Sequence, residues 1–465
     1  MPSSRFARNV SVLVGGTAAA QIVSLLAAPV LTRIYGTEAF GMLAVYVALI
    51  SMISVVASLK YELAIPLPES ERQVVALTVL SLGIVVVIAS LVGITIYLAG
   101  SEIANLLGIP GLATYLWLVP LGVFLVGVFQ ILNYWAIRLK DFSVLAGIRI
   151  KQQLVVVGTQ FALFNLGGVG LLLGQALGQG VGIRLLTKKL VPATSWRLIS
   201  IEEVKEVAIR YRSFPFFSTW AAFLNSAGAQ VPALVFASFF GASAAGLYAL
   251  AHRIIALPMG LIGKAVAQVF LSDAAEEHRA GRLAPLVISA QRALIKVIVP
   301  PTLFLILFGP PAFSLVFGEQ WREGGEVASW LALWMLFSFS TSPLSTLFAI
   351  IEKQALGLLM QAVLFTVRLL GLAAGLYWHD FIVAVIGFAI FNVVGYLLYQ
   401  LAAFKAVGID LMEGIKSYLL VAPLVLLALV VKDDLGGLMQ VGLFSVFAIA
   451  CAIYYYRLMQ SLRNA

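Results

Sequence analysis

The chain has 465 residues, 62% of them hydrophobic and 11% charged, with 30 Lys and Arg against 21 Asp and Glu and a mean hydropathy of +1.02. That balance excludes a soluble globular domain and indicates a polytopic membrane protein. The single cysteine, Cys451, excludes an intramolecular disulfide, and three histidines without ligand spacing offer no metal site.

A lipid-spanning helix needs roughly 20 mostly apolar residues, because each backbone polar group must be satisfied inside the segment. In chain order such runs lie at 10–34, 39–64, 74–99, 112–137, 142–164 and 167–187, then at 214–239, 243–270, 285–308, 327–350, 355–378 and 381–404. Two further runs, a short one at 416–431 and one at 437–456, bring the expectation to about 14 transmembrane helices in an all-α integral membrane protein. Arg5 and Arg8 ahead of TAAAQ imitate a signal peptide, but the hydrophobicity continues to Leu31, so the first run reads as a retained span. The stretch GPPAFSLVFGEQWREGGE, from Gly309, reads as the largest outer loop.

The net charge of +9 has a topological cause and does not point to nucleic acid. With the amino terminus inside, only Arg33, Arg322 and Lys432 fall in outer segments, while the other loop cations gather on the cytoplasmic side. Both termini are therefore expected in the cytoplasm.

Internal similarity organises the spans. YGTEAFGMLAV at 35–45 matches FGASAAGLYAL at 240–250, with Gly36 over Gly241 and Gly41 over Gly246; IANLLG at 103 matches FSLVFG at 313. Two six-helix repeats of one orientation follow, in a pseudo-twofold, V-shaped arrangement around a cleft, with two extra C-terminal helices. The expected divisions are an N-terminal lobe at 1–190, a cytoplasmic interfacial linker at 191–213, a C-terminal lobe at 214–410 and spans 13 and 14 at 411–465. In the linker, Ser200 and Glu203 have capping-box spacing, and Ile201, Val204, Ala208 and Tyr211 recur at helical intervals.

Several cations fall inside spans, where a central Arg or Lys opposes insertion by about 2.5–3.5 kcal/mol and so should face protein or water. Arg184 and Lys151 lie near enough to the inner ends to snorkel. Arg253, Lys296 and Arg368 are deep, and Arg149, Lys264 and Arg292 lie in the inner half. Arg253 and Lys264 share one helix face about 16 Å apart, and Arg292 and Lys296 share another. Gln160 and Gln361 read as helix-to-helix hydrogen bonders. The acids sit at span ends or in loops; Glu62, beside Lys60 at the inner end of the second span, comes nearest to an exception and makes that pair a candidate inner gate as well as an ordinary ion pair. Cations without a buried acid suit an anion, with phosphate or pyrophosphate held by bidentate Arg and point-charge Lys. The expected binding set is thus Arg253, Lys264, Arg149, Arg292, Lys296 and Arg368.

LTRIYGTEAFGMLAVYVALISMISVVASLKYELAI and GLYALAHRIIALPMGLIGKAVAQVFLSD resemble segments of the polysaccharide transporters, the O-antigen and capsule oligosaccharide flippases of the multidrug/oligosaccharidyl-lipid/polysaccharide exporter superfamily. Gly246, Tyr248, Arg253 and Pro258 match that family's eighth-span pattern, whereas Thr37 stands where relatives often carry proline. The resemblance implies a bacterial inner-membrane flippase that moves undecaprenyl-pyrophosphate-linked oligosaccharide to the outer leaflet by alternating access through a cationic cavity. It also implies membrane lipids and polysaccharide polymerase machinery as partners, and no catalysis. No cofactor is expected, coupling to an ion gradient or the membrane potential is left open, and no Walker motif is present. The alternatives are a lipid II flippase, whose first span generally carries arginines where this chain has only Gln21, a multidrug exporter of the same fold, and a membrane-embedded glycosyltransferase, which would need larger outer loops.

Overall fold

The computed structural model describes residues 2–190, 199–259, 276–341 and 347–432, with residues 270, 274, 344, 446, 447, 451 and 454 besides, and among these there is no strand. Ten helices among the described residues are long and apolar enough to cross a membrane. By internal packing the chain divides into two compact units, Met1–Ala249 and Leu250–Ala465.

The first unit opens with α1 (Pro2–Ile34) and α2 (Thr37–Val56), followed by α3 (Glu71–Leu106), α4 (Leu118–Arg138), α5 (Phe142–Ala162) and α6 (Gly168–Leu190). These helices are long because their sequences are apolar runs that bond their own backbones, and lipid offers no competing partner. The second expected span ends early. Helix α2 stops at Val56, Leu59 and Lys60 take positive φ, and Tyr61–Ala64 forms a single 3-10 turn, so the apolar run to residue 64 is a folded-back loop and not one straight span. Helix α3 continues past the expected end at 99, with non-helical backbone at Ala99, and finishes at Leu106.

The linker helix is α7 (Ile201–Arg210), and both halves of the Ser200/Glu203 capping box are formed. Its fully buried residue is Val207, whereas Ile201, expected on the apolar face, is 84% exposed. Tyr61 Oη donates to Ala208 O at 3.0 Å, and Arg72 pairs with Glu203 at 3.5 Å, which docks α7 beside the start of α3.

Helix α8 (Thr219–Pro258) joins the expected seventh and eighth spans across a break at Gly241, whose φ of 84° and ψ of 178° are open to glycine and strained for other residues. The two segments paired by internal similarity meet here. A Cβ on Gly41 would lie 1.8 Å from Ala242 O, a Cβ on Gly246 would lie 2.1 Å from Thr37 O, and Ser243 Oγ donates to Thr37 Oγ1 at 2.7 Å. The contact is reciprocal, and it requires both glycines because only a missing Cβ lets backbone approach backbone this closely.

The second unit holds α9 (Leu283–Phe317), α10 (Arg322–Thr341), a single turn at Leu347–Ile350, α11 (Gln354–Leu376), α12 (Phe381–Val407) and α13 (Leu411–Val431). The expected outer loop from Gly309 is mostly helix: α9 runs through Pro310 and Pro311 to Phe317 and stops at Gly318, with only a 3-10 turn before α10. Proline lacks the amide hydrogen that an interior helical carbonyl needs, and in lipid neighbouring helices supply the deficit. Ser329 Oγ of α10 lies 2.7 Å from Leu305 O, beside the carbonyl that Pro310 cannot reach. Gly318 has φ of 107° and Gly108, the residue it matches in the sequence, has φ of 68° just after α3, so a glycine with positive φ follows each helix.

Helix α10 is described as far as Thr341; residues 342, 343, 345 and 346 of the expected span lie outside the described residues, and Leu347–Ile350 is again helical. The thirteenth span, read as short, is a full 21-residue helix, and the fourteenth lies almost wholly outside the described residues. A buried polar network ties α13 to its unit: Gln400 Nε2 donates to Thr341 Oγ1 at 2.7 Å and to Tyr418 Oη at 2.6 Å, and the Tyr418 and Ser340 hydroxyls share a hydrogen bond. The rest of α13 is largely exposed and apolar, with Leu420 at 72% and Val430 at 70%, as a lipid-facing helix requires.

Candidate functional site

The predicted cation with the best-defined setting is Arg368, on α11. Its Nε donates to Asn392 Oδ1 at 2.8 Å and its Nη2 to Tyr396 Oη at 2.9 Å, both on α12 and four residues apart, one turn along the same face. The guanidinium also lies 5.7 Å from the Tyr396 ring centroid and 6.0 Å from that of Trp334 on α10. Trp334 in turn stacks on His252 of α8, with centroids 5.4 Å apart and planes inclined by 22°. Asn392 is fully buried and its position is locked because Asn392 Nδ2 donates to Phe388 O at 2.8 Å.

All these partners of Arg368 are neutral, so they orient the guanidinium without cancelling its charge. Two of its five donors are used by Asn392 and Tyr396, and Trp334 Nε1, a buried donor, has no hydrogen-bond acceptor. The cluster therefore has a surplus of donors and of positive charge. Its complement is an acceptor-rich anion, and the geometry would repel a cation. Sequence reading found Arg368 but missed His252, Trp334, Asn392 and Tyr396, because each looks like an isolated polar or aromatic residue in an apolar run.

Arg253 follows His252 on α8 and is an exposed residue. Lys264 lies outside the described residues. Arg292 and Lys296 do come together, in a groove of about 740 Å³ between the start of α9 and the start of α13, which Arg368 does not line. Glu413 also lines that groove and sits 3.5 Å from Arg292, so this arginine has a carboxylate partner in the first turn of α13. In the first unit, Arg149 on α5 is half-buried and donates to Thr17 on α1. The expected cationic set is thus laid out in several places, with Arg368 the member most fully built into a site.

Lys60 and Glu62 lie in the loop after α2, 3.4 Å apart, with side chains 14% and 1% exposed. This is a buried ion pair, and Ser58 Oγ donates to the second Glu62 oxygen. Burial of the neighbouring Tyr61 phenol raises its pKa above the ordinary value. Gln160 is buried and donates to Leu171 O at 3.3 Å, a helix-to-helix bond between α5 and α6.

A family model described as a polysaccharide biosynthesis protein matches residues 30–325, well over half of the chain. The chain belongs to this family. It is similar, at 25% identity over 422 residues covering 87% of this chain and 81% of the relative, to the succinoglycan biosynthesis transport protein ExoT of Rhizobium meliloti (strain 1021). Among solved structures it is similar to the lipid II flippase MurJ in an inward closed conformation, with a TM-score of 0.70, 14% identity and coverage of 96% of this chain and 99% of that one. It is also similar to an inward-facing multidrug resistance transporter of the MATE family, with a TM-score of 0.57, 14% identity and coverage of 90% and 98%. At these identities the structures establish the fold alone. That fold is the one expected from the sequence resemblance, and this member of the polysaccharide biosynthesis protein family is a multi-pass membrane protein.

Proposed function

We propose that the protein is a flippase that carries undecaprenyl-pyrophosphate-linked oligosaccharide units from the cytoplasmic to the outer leaflet of a bacterial inner membrane by alternating access. The observation that carries this reading is the Arg368 cluster, a guanidinium deep in an apolar chain that is held by Asn392, Tyr396 and Trp334 and not neutralised by them. A pyrophosphate offers the acceptors and the charge that such a cluster lacks, and arginine is suited to bidentate phosphate contacts. Arg253, Lys264, Arg149, Arg292 and Lys296 are proposed as further contacts along the cargo's route, and Lys60 with Glu62 as an inner gate. The likeness to a succinoglycan biosynthesis transport protein of Rhizobium supports the cargo class. In this reading both termini are cytoplasmic, the cargo leaves chemically unchanged, an ion gradient or the membrane potential drives the cycle, and the polymerase machinery receives the product.

A second reading, a lipid II flippase, is favoured by the fold likeness to MurJ. It uses the same anion chemistry but has only Gln21 in the first span before Arg33. Reconstitution of the full chain in vesicles with fluorescent lipid-linked sugars tests both. Transport of an undecaprenyl-pyrophosphate oligosaccharide that is lost in Arg253→Ala and Arg368→Met supports the proposal, transport of lipid II alone selects the second reading, and transport of neither removes both.

A further inference from the structure

The first unit contains a cavity of about 280 Å³ among α2, α4 and α6 whose lining sets serine and glutamine side chains among apolar ones and carries no charge. Ser51 and Ser54 project into it from α2, three residues apart on one face, Gln175 and Gln179 from α6, four residues apart on one face, and Gln130 from α4. Tyr46, fully buried, closes one wall. Ser54 is 1% exposed, and neither Ser54 Oγ nor Gln130 Oε1 finds a protein hydrogen-bond partner. Polar atoms buried in this way cost free energy unless something in the cavity bonds to them.

We infer that this cavity is a subsite for one uncharged sugar residue of the cargo. The chemistry selects among occupants. An ion would enter without a counter-charge and would be opposed by desolvation, and an acyl chain would leave the serine and glutamine groups unpaired. Neighbouring sugar hydroxyls each donate one hydrogen bond and accept others, and a carboxamide offers a donor and an acceptor side by side, so a glutamine can span a vicinal diol. Serine hydroxyls serve either need. The volume is close to the lower end of the roughly 300–1,000 Å³ of small-molecule pockets, enough for a single ring and not for an oligosaccharide. That the sugar belongs to a transported cargo rests on the flippase reading; that the cavity prefers a neutral polyol does not.

The test uses the full chain in membrane vesicles, with Ser51→Cys as the only thiol in a Cys451→Ser background. The rate of maleimide labelling is measured with methyl glucoside, methyl galactoside, sodium phosphate, sugar-free undecaprenyl pyrophosphate and an undecaprenyl-pyrophosphate-linked monosaccharide. The expected result is protection by a glycoside and, at lower concentration, by the sugar-bearing lipid, with no protection by phosphate. Gln175→Leu should weaken the glycoside's protection about fivefold, the loss of one neutral hydrogen bond, and Gln130→Leu provides a second variant should the first not fold. A thiol that does not react, labelling indifferent to both glycosides, or protection by phosphate alone would overturn the subsite. Glycoside protection combined with no effect of either undecaprenyl lipid would keep the polyol pocket and remove the flippase reading.

Discussion

Replacing Arg368 separates its structural task from its proposed binding task. Arg368→Met keeps an unbranched apolar stem and deletes the guanidinium. In the empty protein it leaves Asn392 Oδ1 without the donor now 2.8 Å away and Tyr396 Oη without the one at 2.9 Å. Asn392 is fully buried, so its unsatisfied oxygen should cost about 1–3 kcal/mol, offset in part by no longer desolvating a charge. Binding should suffer independently. One hydrogen bond between a guanidinium and a phosphate contributes about 1.5–3 kcal/mol, equivalent to about 10- to 150-fold in affinity. Arg368→Lys keeps the charge but cannot reach Asn392, Tyr396 and an anion together in one fork, so its affinity should fall between those of the parent and the methionine variant. The assay is titration of a fluorescent undecaprenyl pyrophosphate against each variant in lipid nanodiscs, with uncharged undecaprenol as control and thermal unfolding run in parallel. A folded Arg368→Met protein that binds the pyrophosphate lipid as tightly as its parent would refute the assignment of Arg368 to the anion.

Gly246→Val and Gly41→Val each drive a side chain into backbone 1.8–2.1 Å away and should lower the unfolding temperature, by overpacking of about 1–3 kcal/mol or more, whereas Gly83→Ala, with nothing within 4 Å, should change it little. Gln400→Leu removes the donor shared by Thr341 and Tyr418 and should destabilise the second unit by about 1–3 kcal/mol, visible as faster proteolysis near α13. For the topology, Arg279→Cys and Arg322→Cys in a Cys451→Ser background should differ in intact cells: an impermeant maleimide should label only the second, and the opposite pattern would invert the proposed orientation.

Much of the architecture was legible because it depends on short-range chemistry. The capping box at Ser200 and Glu203 is a two-residue signal whose partners lie within one turn, and it formed as read. The repeat was legible through glycines whose absence of a side chain is itself the structural requirement: Gly41 and Gly246 admit each other's helix backbone, and Gly108 and Gly318 follow α3 and α9 with positive φ. The errors came where lipid changes the meaning of a residue. Gly309, Pro310 and Pro311 read as a loop by the rules of helices in water, yet α9 passes through them in close contact with α10, where a Cβ on Gly309 would lie 2.5 Å from Gly325 O. The opposite error occurred after Val56, where apolar residues to Ala64 fold back instead of spanning, since Tyr61 and Glu62 find their partners in Ala208, Ser58 and Lys60.

The site was legible only as charge. A cation inside an apolar run declares itself because insertion alone disfavours it, so Arg368 and Arg253 could be named from the sequence. What such a cation does depends on what surrounds it, and those groups come from far along the chain: Asn392 and Tyr396 are 24 and 28 residues from Arg368. The same distance effect divides residues that looked equivalent. Arg292 and Arg368 are both arginines within predicted spans, but one meets the Glu413 carboxylate and the other meets an amide, a phenol and an indole. A carboxylate would compete with an incoming phosphate for the guanidinium, whereas neutral acceptors fix its direction and leave its charge to act. On that argument Arg368→Met should weaken binding of a pyrophosphate lipid more than Arg292→Met does, and the reverse order would move the anion site to the groove between α9 and α13.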